Sequence, residues 1–457
     1  MKKTIVLNIV GLTSKLIGPY TPFLKKWIDR GKISKIKPLL PAVTSSVQST
    51  YLTGKWPDTH GIVGNGWYFR DLCEIKFWHQ SNTLVTAPKI WDIAKNIDPS
   101  FTCANMFWWY NMYSTVDYSV TPRPIYTSYG TKIPDCYTFP TNLRDELQTM
   151  LGRFPLFNFW GPKTSIESSK WIADASKIVE KKFNPTLTLI YLPHLDYCLQ
   201  RSGPQSIDTK KSLLEIDLIC KDLIRFYESR GANLIILSEY GIEPVNNVVH
   251  INRILRKHNY LKIREENGRE LLDPGASDAF AVCDHQIAHI YINNKKIIYK
   301  VFTILKQLPG IAYVLDDMTK QKHHLNHSRA GDLIAVASEG YWFSYYYWID
   351  DQKAPDFART VEIHKKPGYD PAELFIDPNL KWANLKILIT LLKKIIGFRY
   401  LMNLIPIDAS LVKGSHGRIT NDTMNYPIIV SQKTNLISDE FINAIDVFKI
   451  IMQHLKD

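Results

Sequence analysis

Short apolar runs alternate along the chain with longer stretches of helical periodicity. Residues 4–10 form the first run, which is rich in β-branched side chains and predicts a buried strand ending at Gly11. Three more runs predict strands at 187–192, 233–237 and 287–292. Helical periodicity predicts helices at 20–30, 168–182, 210–230 and 384–396. Because two of these helices surround the strand at 187–192, the chain has a β-α-β rhythm, which favours a parallel sheet.

Residues 245–378 break this rhythm with short strands and turns. We therefore predict an α/β core formed by residues 1–244 and 379–457, with a smaller cap or insertion subdomain at 245–378. The insertion contains an aromatic run at 341–348, which is more typical of core packing than of a surface that stacks on a base.

The composition is that of a folded protein with a basic surface. Of 457 residues, 45% are apolar and 22% are charged, and the formal net charge is +12. A basic surface attracts nucleic acid, anionic membranes or phosphorylated substrates. Lysine and arginine are scattered without zinc-finger spacing or an RNA-binding aromatic signature, so we expect no nucleic-acid partner. The helix at 384–396 carries Lys386, Lys393 and Lys394, and we interpret these as a solvated basic face rather than a membrane anchor.

Cysteine usage and the first residues predict a cytoplasmic protein. The six cysteines are widely spaced and form no CxxC pair, which indicates buried free thiols in a reducing compartment. The apolar stretch after Met1 is too short for a signal peptide, is broken by Asn8, and precedes no small-residue cleavage site. No segment reaches 18 uncharged apolar residues, so we expect no transmembrane segment. The sequence leaves the oligomeric state open.

The stretch at 41–65 is the most informative in the chain. Thr44 lies where a helix can begin. Its hydroxyl either caps that helix, as threonine commonly does, or faces an anion site made by free backbone N–H groups. In the second case these groups hold a phosphoryl group while the Thr44 oxygen attacks it. Spacing alone leaves both interpretations open.

This stretch resembles the nucleophile segment of the type I phosphodiesterase/nucleotide pyrophosphatase family, within the alkaline phosphatase superfamily. The family has a nucleophilic threonine, a Thr-Gly pair nine residues later, and then a Pro-x-x-His-Gly-Ile-x-x-Asn run. Here Thr44, the pair Thr53-Gly54 and residues 57–65 repeat that spacing. The run at 64–71 is similar to that of a divergent bacterial subset.

Further landmarks follow in the family's order. The first strand ends in Val-Gly-Leu where the family has Asp-Gly-Leu or Asp-Gly-Phe. A later segment matches the family's Asp ligand segment, the next reads Ser-Glu-Tyr-Gly where the family has Ser-Asp-His-Gly, and the last matches its Gly-x-His-Gly. These segments are residues 10–12, 193–204, 238–241 and 414–417. The resemblance implies an alkaline-phosphatase-like fold with a central, mostly parallel sheet flanked by helices.

The resemblance also implies a pair of zinc ions that clamp the transferred phosphoryl group. The first zinc position corresponds to Asp196, Gln200 and His416. The second corresponds to Val10, Thr44, Glu239 and Tyr240.

Three of these positions depart from the family's ligands. Val10 cannot bind a metal, and Gln200 and Tyr240 are poor zinc ligands compared with imidazole. Asn8 lies two residues before Val10 on the same face of the strand and could lend a carbonyl oxygen. An oxygen-rich set favours magnesium or manganese over zinc. We predict one or two divalent ions, magnesium, manganese or zinc, at Asp196, Glu239, His416, Asn8 and Gln200.

Additional site residues are predicted with alternatives. Asp284 and His285 repeat the order of the lost Asp-His pair, although surface or hydrogen-bonded roles are commoner for such residues. The secondary candidates are Asp284, His285, His364 and Tyr240. The predicted substrate-binding residues are Gln48, Asn65 and Lys413.

Three functions follow as hypotheses. The first is hydrolysis of a phosphodiester or pyrophosphate bond through a phospho- or nucleotidyl-Thr44 intermediate, with a small phosphorylated or nucleotide-like substrate. The second is phosphoryl transfer to an alcohol. The third is a binding protein with a degenerate site, suggested by the replaced ligands. Fold alone cannot separate them, because function depends on the site.

Overall fold

The computed structural model describes residues 1–128, 130–398, 400–437 and 439–457. The described strands are, in chain order, β1 Thr4–Ile9, β2 Lys32–Lys37, β3 Gly66–Phe69, β4 Glu74–Phe77, β5 Cys103–Met106, β6 Tyr118–Pro122, β7 Ile125–Tyr126, β8 Lys132–Ile133, β9 Cys136–Phe139, β10 Leu187–Leu192, β11 Asn233–Leu237, β12 Glu243–Pro244, β13 Asn247–Val249, β14 Lys262–Glu266, β15 Arg269–Asp273, β16 Ala279–Asp284, β17 Ile287–Ile292, β18 Ile311–Leu315, β19 Leu333–Ala337, β20 Tyr341–Phe343, β21 Gly414–Ser415, β22 Ile428–Ser431 and β23 Phe441–Asn443. The described α-helices are α1 Pro22–Ile28, α2 Thr44–Thr53, α3 Pro57–His60, α4 Ile90–Ile97, α5 Leu143–Leu151, α6 Leu156–Phe159, α7 Ile166–Phe183, α8 His194–Ser202, α9 Ile207–Glu228, α10 Ile251–Lys257, α11 Ile298–Lys306, α12 Asp317–Lys322, α13 Ala383–Ile395 and α14 Asp446–Lys456.

A nine-stranded sheet forms the centre of the molecule. Its order is β23-β2-β22-β11-β1-β10-β5-β6-β9, and the strands from β11 to β6 in that order run parallel. Every residue of β1 and β10 is buried, because helices cover both faces of the sheet. This confirms the predicted α/β class with a mostly parallel sheet flanked by helices.

Local sequence explains where the main helices begin. Helix α7 starts after Ser165, whose side chain accepts a hydrogen bond from the Glu167 N–H, and α9 starts after Ser206, which caps through the Thr209 N–H. The predicted helix at 20–30 is shorter, since α1 begins at a proline in its first turn. The predicted strands at 187–192, 233–237 and 287–292 are confirmed with the same bounds.

A second, four-stranded sheet has the order β16-β17-β19-β18. It has its own hydrophobic cluster, which also includes side chains from residues 62–110 and the aromatic run at 341–348. Six of the eight aromatic-run residues are aromatic side chains at most 3% exposed, so core packing is the observed role. The domain boundaries at 244/245 and 378/379 stay a prediction.

Two sequence expectations concern the surface. On α13, Lys386 and Lys393 are exposed, as expected, but a row of leucine and isoleucine side chains is exposed beside them. The side chain of Lys394 lies outside the described part of the structure. No helix in the described part of the chain combines the length and the apolar content needed to cross a membrane.

Candidate active site

Polar side chains converge where three neighbouring parallel strands end. β10 is followed by Pro193 and α8, which carries Asp196 and Gln200. β11 is followed by Ser238, Glu239 and Tyr240, and β1 contributes Asn8 between these two strands. The carboxyl edge of a parallel sheet is where α/β proteins form binding sites, because loops from adjacent strands meet there.

Thr44 is the first residue of α2 and is buried. The position preceding the helix belongs to Val43, and no side chain caps this end. The Thr44 hydroxyl instead lies 2.9 Å from the Tyr240 hydroxyl. The capping interpretation is therefore wrong for Thr44, and its oxygen faces the cavity described below.

A hydrogen-bonded chain continues from Tyr240 into the protein. The Tyr240 hydroxyl donates to Asp196 Oδ1 at 3.2 Å, and Gln200 Nε2 donates to Asp196 Oδ2 at 2.8 Å. Asp196 and Gln200 can meet because residues four apart share one face of α8. The Tyr369 hydroxyl donates to Gln200 Oε1 at 2.8 Å and fixes the orientation of that amide. Burial raises the pKa of Asp196 to about 7, although its hydrogen bonds oppose this.

Glu239 lies in a second polar group beside Thr44. Its Oε1 accepts hydrogen bonds from Asn8 Nδ2 and Gln48 Nε2, both at 2.6 Å. The Gln48 side chain is fixed in turn by the Trp109 N–H, which donates to its Oε1 at 2.7 Å. Burial raises the pKa of Glu239 to about 8. Glu239 Oε2 and Asn8 Oδ1 are buried without a hydrogen-bond partner.

Four rings stack behind this group. Their centroids are 3.6 Å apart between Tyr240 and His416, 3.8 Å between His416 and His285, and 3.6 Å between His285 and Tyr369. We call this the four-ring column. Burial lowers the pKa of both histidines, so both imidazoles are neutral at neutral pH. Their Nε2 atoms are buried without a partner.

His416 reaches the column because β21 lies close to α8. A Cβ atom at Gly414 would stand 2.2 Å from the carbonyl oxygen of Leu199, so glycine is needed for this approach. His416 Nδ1 is hydrogen-bonded to the Ala42 carbonyl at 2.7 Å, so this nitrogen carries the proton and leaves Nε2 as an acceptor. His416 Nε2 lies 3.8 Å from Asp196 Oδ1, and because the imidazole is neutral this contact is not an ion pair.

His285 enters from the turn between β16 and β17. It has a φ of 61°, a left-handed conformation that is uncommon for histidine and is often found at functional sites. The preceding Asp284 accepts hydrogen bonds from the Asn65 backbone at 2.8 Å and from Asn65 Nδ2 at 3.1 Å. Asn65 Oδ1 in turn accepts from the Ser45 N–H at 3.0 Å. Asp284 Oδ1 also lies 2.8 Å from His285 Nδ1, so Asp284 connects the start of α2 to the four-ring column, and the metal roles of Asp284 and His285 stay predictions.

The remaining predicted residues differ in how close they lie to this group. His364 lines the outer cavity, and its Nδ1 contacts the Phe77 carbonyl at 3.2 Å. Lys413 donates from Nζ to the Ser410 carbonyl at 2.9 Å and does not line the cavity. Gln48 and Asn65 stand behind the site and fix its members. The predicted substrate-binding roles of Gln48, Asn65 and Lys413 stay predictions.

These donors do not suit two zinc ions. Among the described residues, no group of three or more His, Cys, Asp and Glu side chains forms a metal site. The fit to a single ion is better, because His416 Nε2, which has no hydrogen-bond partner, lies 3.8 Å from Asp196 Oδ1, which accepts from Tyr240. With metal–ligand distances of roughly 2.0–2.2 Å, one cation can contact both atoms. The metal-ligand roles of Asp196, His416, Glu239, Asn8 and Gln200 stay predictions.

A cavity of about 1430 Å³ opens above Thr44. Its inner end includes Asp196, Tyr240 and His285, and its walls are largely aromatic and aliphatic. Basic side chains lie around its outer part, namely Lys76, Arg123, Lys132, Lys163 and Lys365. Sequence reasoning missed Tyr369 and Trp109, and the only available signal was their position in aromatic-rich, polar stretches.

The comparisons with known proteins agree with the motifs. The model of the type I phosphodiesterase / nucleotide pyrophosphatase family matches residues 4–370. An uncharacterized pyrophosphatase/phosphodiesterase of Schizosaccharomyces pombe is 22% identical over 348 residues, which are 74% of this chain and 63% of that protein. The chain thus spans less than two thirds of this relative's length.

Solved structures share the fold at low sequence identity. Murine ectonucleotide pyrophosphatase/phosphodiesterase 5, as an inactive variant in complex with AMP, aligns with a TM-score of 0.60 and 15% identity, covering 100% of this chain and 95% of that one. Phosphonoacetate hydrolase from Sinorhizobium meliloti 1021, in complex with phosphonoformate, aligns with a TM-score of 0.61 and 13% identity, covering 99% and 96%.

Proposed function

Because the chain belongs to the type I phosphodiesterase/nucleotide pyrophosphatase family, we propose that it hydrolyses a phosphodiester or pyrophosphate bond of a small phosphorylated or nucleotide-like metabolite. Thr44 is the proposed nucleophile. The observation that carries this proposal is the hydrogen-bonded chain from Thr44 through Tyr240 to Asp196 at the inner end of the cavity.

This chain supplies a path for the nucleophile's proton. As Thr44 Oγ1 forms a bond to phosphorus and the bond to the leaving group breaks, its proton passes to the Tyr240 oxygen. The proton of Tyr240 passes at the same time to the Asp196 carboxylate. A base works best when its pKa lies near the operating pH, and the pKa of Asp196 is about 7. The leaving group departs as an anion. Water then attacks the phosphorus, the Thr44 oxygen leaves as the relay returns its proton, and the proton lost by the water passes into solvent, where it balances the charge of the leaving-group anion.

The surroundings suit an anionic substrate with an apolar or ring-bearing part. Thr44 is at the start of a ten-residue helix, where the helix dipole favours negative charge. Arg123 and Lys163 lie further out along the cavity, and the walls between are aromatic. AMP and phosphonoformate, the ligands named for the two structural neighbours, are both phosphorus-containing anions.

As an alternative to the relay, because a cation on Asp196 Oδ1 would displace the proton that this oxygen accepts from Tyr240, we propose that Asp196 and His416 hold one divalent ion; magnesium or manganese suits the oxygen-rich surroundings better than zinc. A bound cation would supply charge stabilisation to the phosphoryl oxygens. Tyr240 stands at the sequence position that corresponds to a histidine ligand of the family, and its hydroxyl, 2.9 Å from that of Thr44, would orient the nucleophile.

A binding protein is the second candidate. It is favoured by the replacement of three family ligand positions by Val10, Gln200 and Tyr240. Such a protein would keep the cavity and its basic outer part without turnover.

Turnover of a nitrophenyl phosphodiester by the Thr44→Ala and Thr53→Ala variants separates these functions. Thr53 is the matched control, because it is buried in the same helix and its hydroxyl bonds only backbone groups, the Ser49 carbonyl at 2.7 Å and the Lys55 N–H at 3.2 Å. Loss of the nucleophile is expected to lower kcat by at least about a thousandfold, whereas the control retains activity. Denaturing mass spectrometry of quenched reactions is expected to show a peptide containing Thr44 that carries the phosphoryl group with its remaining ester substituent. Equal turnover in wild type and Thr44→Ala would refute the covalent mechanism, and no turnover in wild type would favour the binding protein.

A further inference from the structure

Large apolar side chains face solvent along α13 and the residues next to it. Ten of them are between 41% and 79% exposed. They are Trp382, Leu385, Leu388, Ile389, Leu391, Leu392, Ile395, Ile396, Phe398 and Leu401. A contiguous apolar surface of this kind usually marks an interaction site.

The spacing places the apolar side chains of α13 on two sides of the helix. Residues 385, 388, 389, 392, 395 and 396 recur every three or four positions and therefore share one side, which we call the outer apolar face. Ile387 and Leu391 lie on the other side and line the cavity above Thr44. The same helix thus forms part of the cavity wall and presents a second apolar face outward.

Positive charge flanks the outer apolar face. Lys386 and Lys393 are exposed and seven residues apart, so they lie on the same flank two turns from each other. The sequence between Asp377 and Asp408 contains no acidic residue. An apolar face with flanking lysines is typical of helices that lie in the plane of a bilayer, where the lysine amines reach lipid phosphates.

Aromatic side chains stand near both ends of this helix. Trp382 is 79% exposed just before α13, and Phe398 is 63% exposed just after it. Tryptophan favours the boundary between lipid headgroups and acyl chains, because its ring is apolar and its N–H is polar. The exposed ends therefore suit the same environment as the face between them.

We propose that the outer apolar face is a docking surface for an anionic lipid bilayer. α13 lies in the interface with its outer apolar face against the lipid, and its lysines contact acidic headgroups. A second copy of this chain fits less well, since the two faces would bring lysines of the same charge together. The proposal does not depend on the hydrolytic activity, because it concerns only this surface.

Flotation of the full chain with vesicles tests the proposal. Neutral phosphatidylcholine vesicles are compared with vesicles that also contain phosphatidylserine. The combined variant Leu388→Ser, Leu392→Ser and Ile395→Ser is expected to weaken binding by at least about a hundredfold. The matched control is Leu214→Ser with Leu218→Ser, which changes exposed apolar residues on α9 and is expected to bind like wild type.

Two further measurements keep the test decisive if the combined variant folds poorly. Lys386→Gln with Lys393→Gln is expected to lower the affinity for phosphatidylserine vesicles by roughly 25-fold, about fivefold for each lysine, and to reduce its salt dependence. The tryptophan emission of wild type is expected to shift to the blue with vesicles, and Trp382→Phe to lose most of that shift.

Three outcomes would overturn the proposal. The first is wild-type protein that does not float with phosphatidylserine vesicles. The second is a well-folded serine variant that binds them like wild type. The third is a concentration-dependent dimer in light scattering that this variant abolishes, which would assign the surface to a second copy of the chain.

Discussion

Glu239→Gln tests the electrostatics of the site through stability. The side chain is buried, and its pKa is about 8 in the folded protein against 4.5 in an unfolded chain. Between these two pH values the folded state binds one proton more than the unfolded state, so wild-type stability falls as pH rises. Glutamine has the same shape, can accept the bonds from Asn8 and Gln48 through its oxygen, and does not titrate.

The expected magnitude follows from that single proton. One proton corresponds to about 1.4 kcal/mol per pH unit, so the stability of Glu239→Gln relative to wild type is expected to rise by about 2.7 kcal/mol between pH 5.5 and 7.5. Urea unfolding monitored by tryptophan fluorescence, in the presence of chelator, measures this difference at each pH. Asp196→Asn is the matched comparison, and its corresponding gain is expected to level off near pH 7 rather than pH 8. Parallel pH dependences for Glu239→Gln and wild type would show that Glu239 is not protonated in the folded protein.

Two further substitutions and one metal measurement test separate parts of the structure. Tyr240→Phe removes the relay hydroxyl and is expected to lower kcat by roughly 10²- to 10⁴-fold with little change in the unfolding midpoint; unchanged kcat would exclude the relay. The Lys366 amine is 2.7 Å from the carboxyls of both Asp370 and Glu373, and Lys366→Met leaves these two buried carboxyls without a cationic partner. The free energy of unfolding, measured in urea at pH 7, is expected to fall by about 3–5 kcal/mol. A fall of less than about 1 kcal/mol would contradict the buried pairing. Elemental analysis is expected to find at most one divalent ion per chain, with manganese or magnesium activating more than zinc, and two zinc ions per chain would contradict the ligand assignment.

The fold could be predicted from the sequence because its signals are local. The strand at 187–192 and the helices around it follow from periodicity and end signals within a few residues. Much of the candidate site could also be predicted, since Asp196, Glu239 and Asn8 lie on or directly after neighbouring parallel strands. The ends of such strands must meet at one edge of the sheet.

The contacts that complete the site depend on long-range packing. Tyr369 is 169 residues from Gln200 in sequence, and no local pattern relates the two. His285 meets His416 only because a left-handed turn residue is docked against the segment after β21. The exposed face of α13 could not be predicted for a different reason. Its periodicity predicts an amphipathic helix, but periodicity cannot tell which apolar side is covered.

The four-ring column gives the site a built-in spectroscopic probe. Tyr240 and His416 come from the part of the chain around the large sheet, whereas His285 and Tyr369 come from the part around the small one. A histidine ring held between two aromatic rings experiences their ring currents, which move its proton resonances upfield in an NMR spectrum. The His285 and His416 signals of isotopically labelled protein would therefore report whether both parts of the chain are docked. Any ligand that separates the rings would be detected directly at the place where the two parts meet.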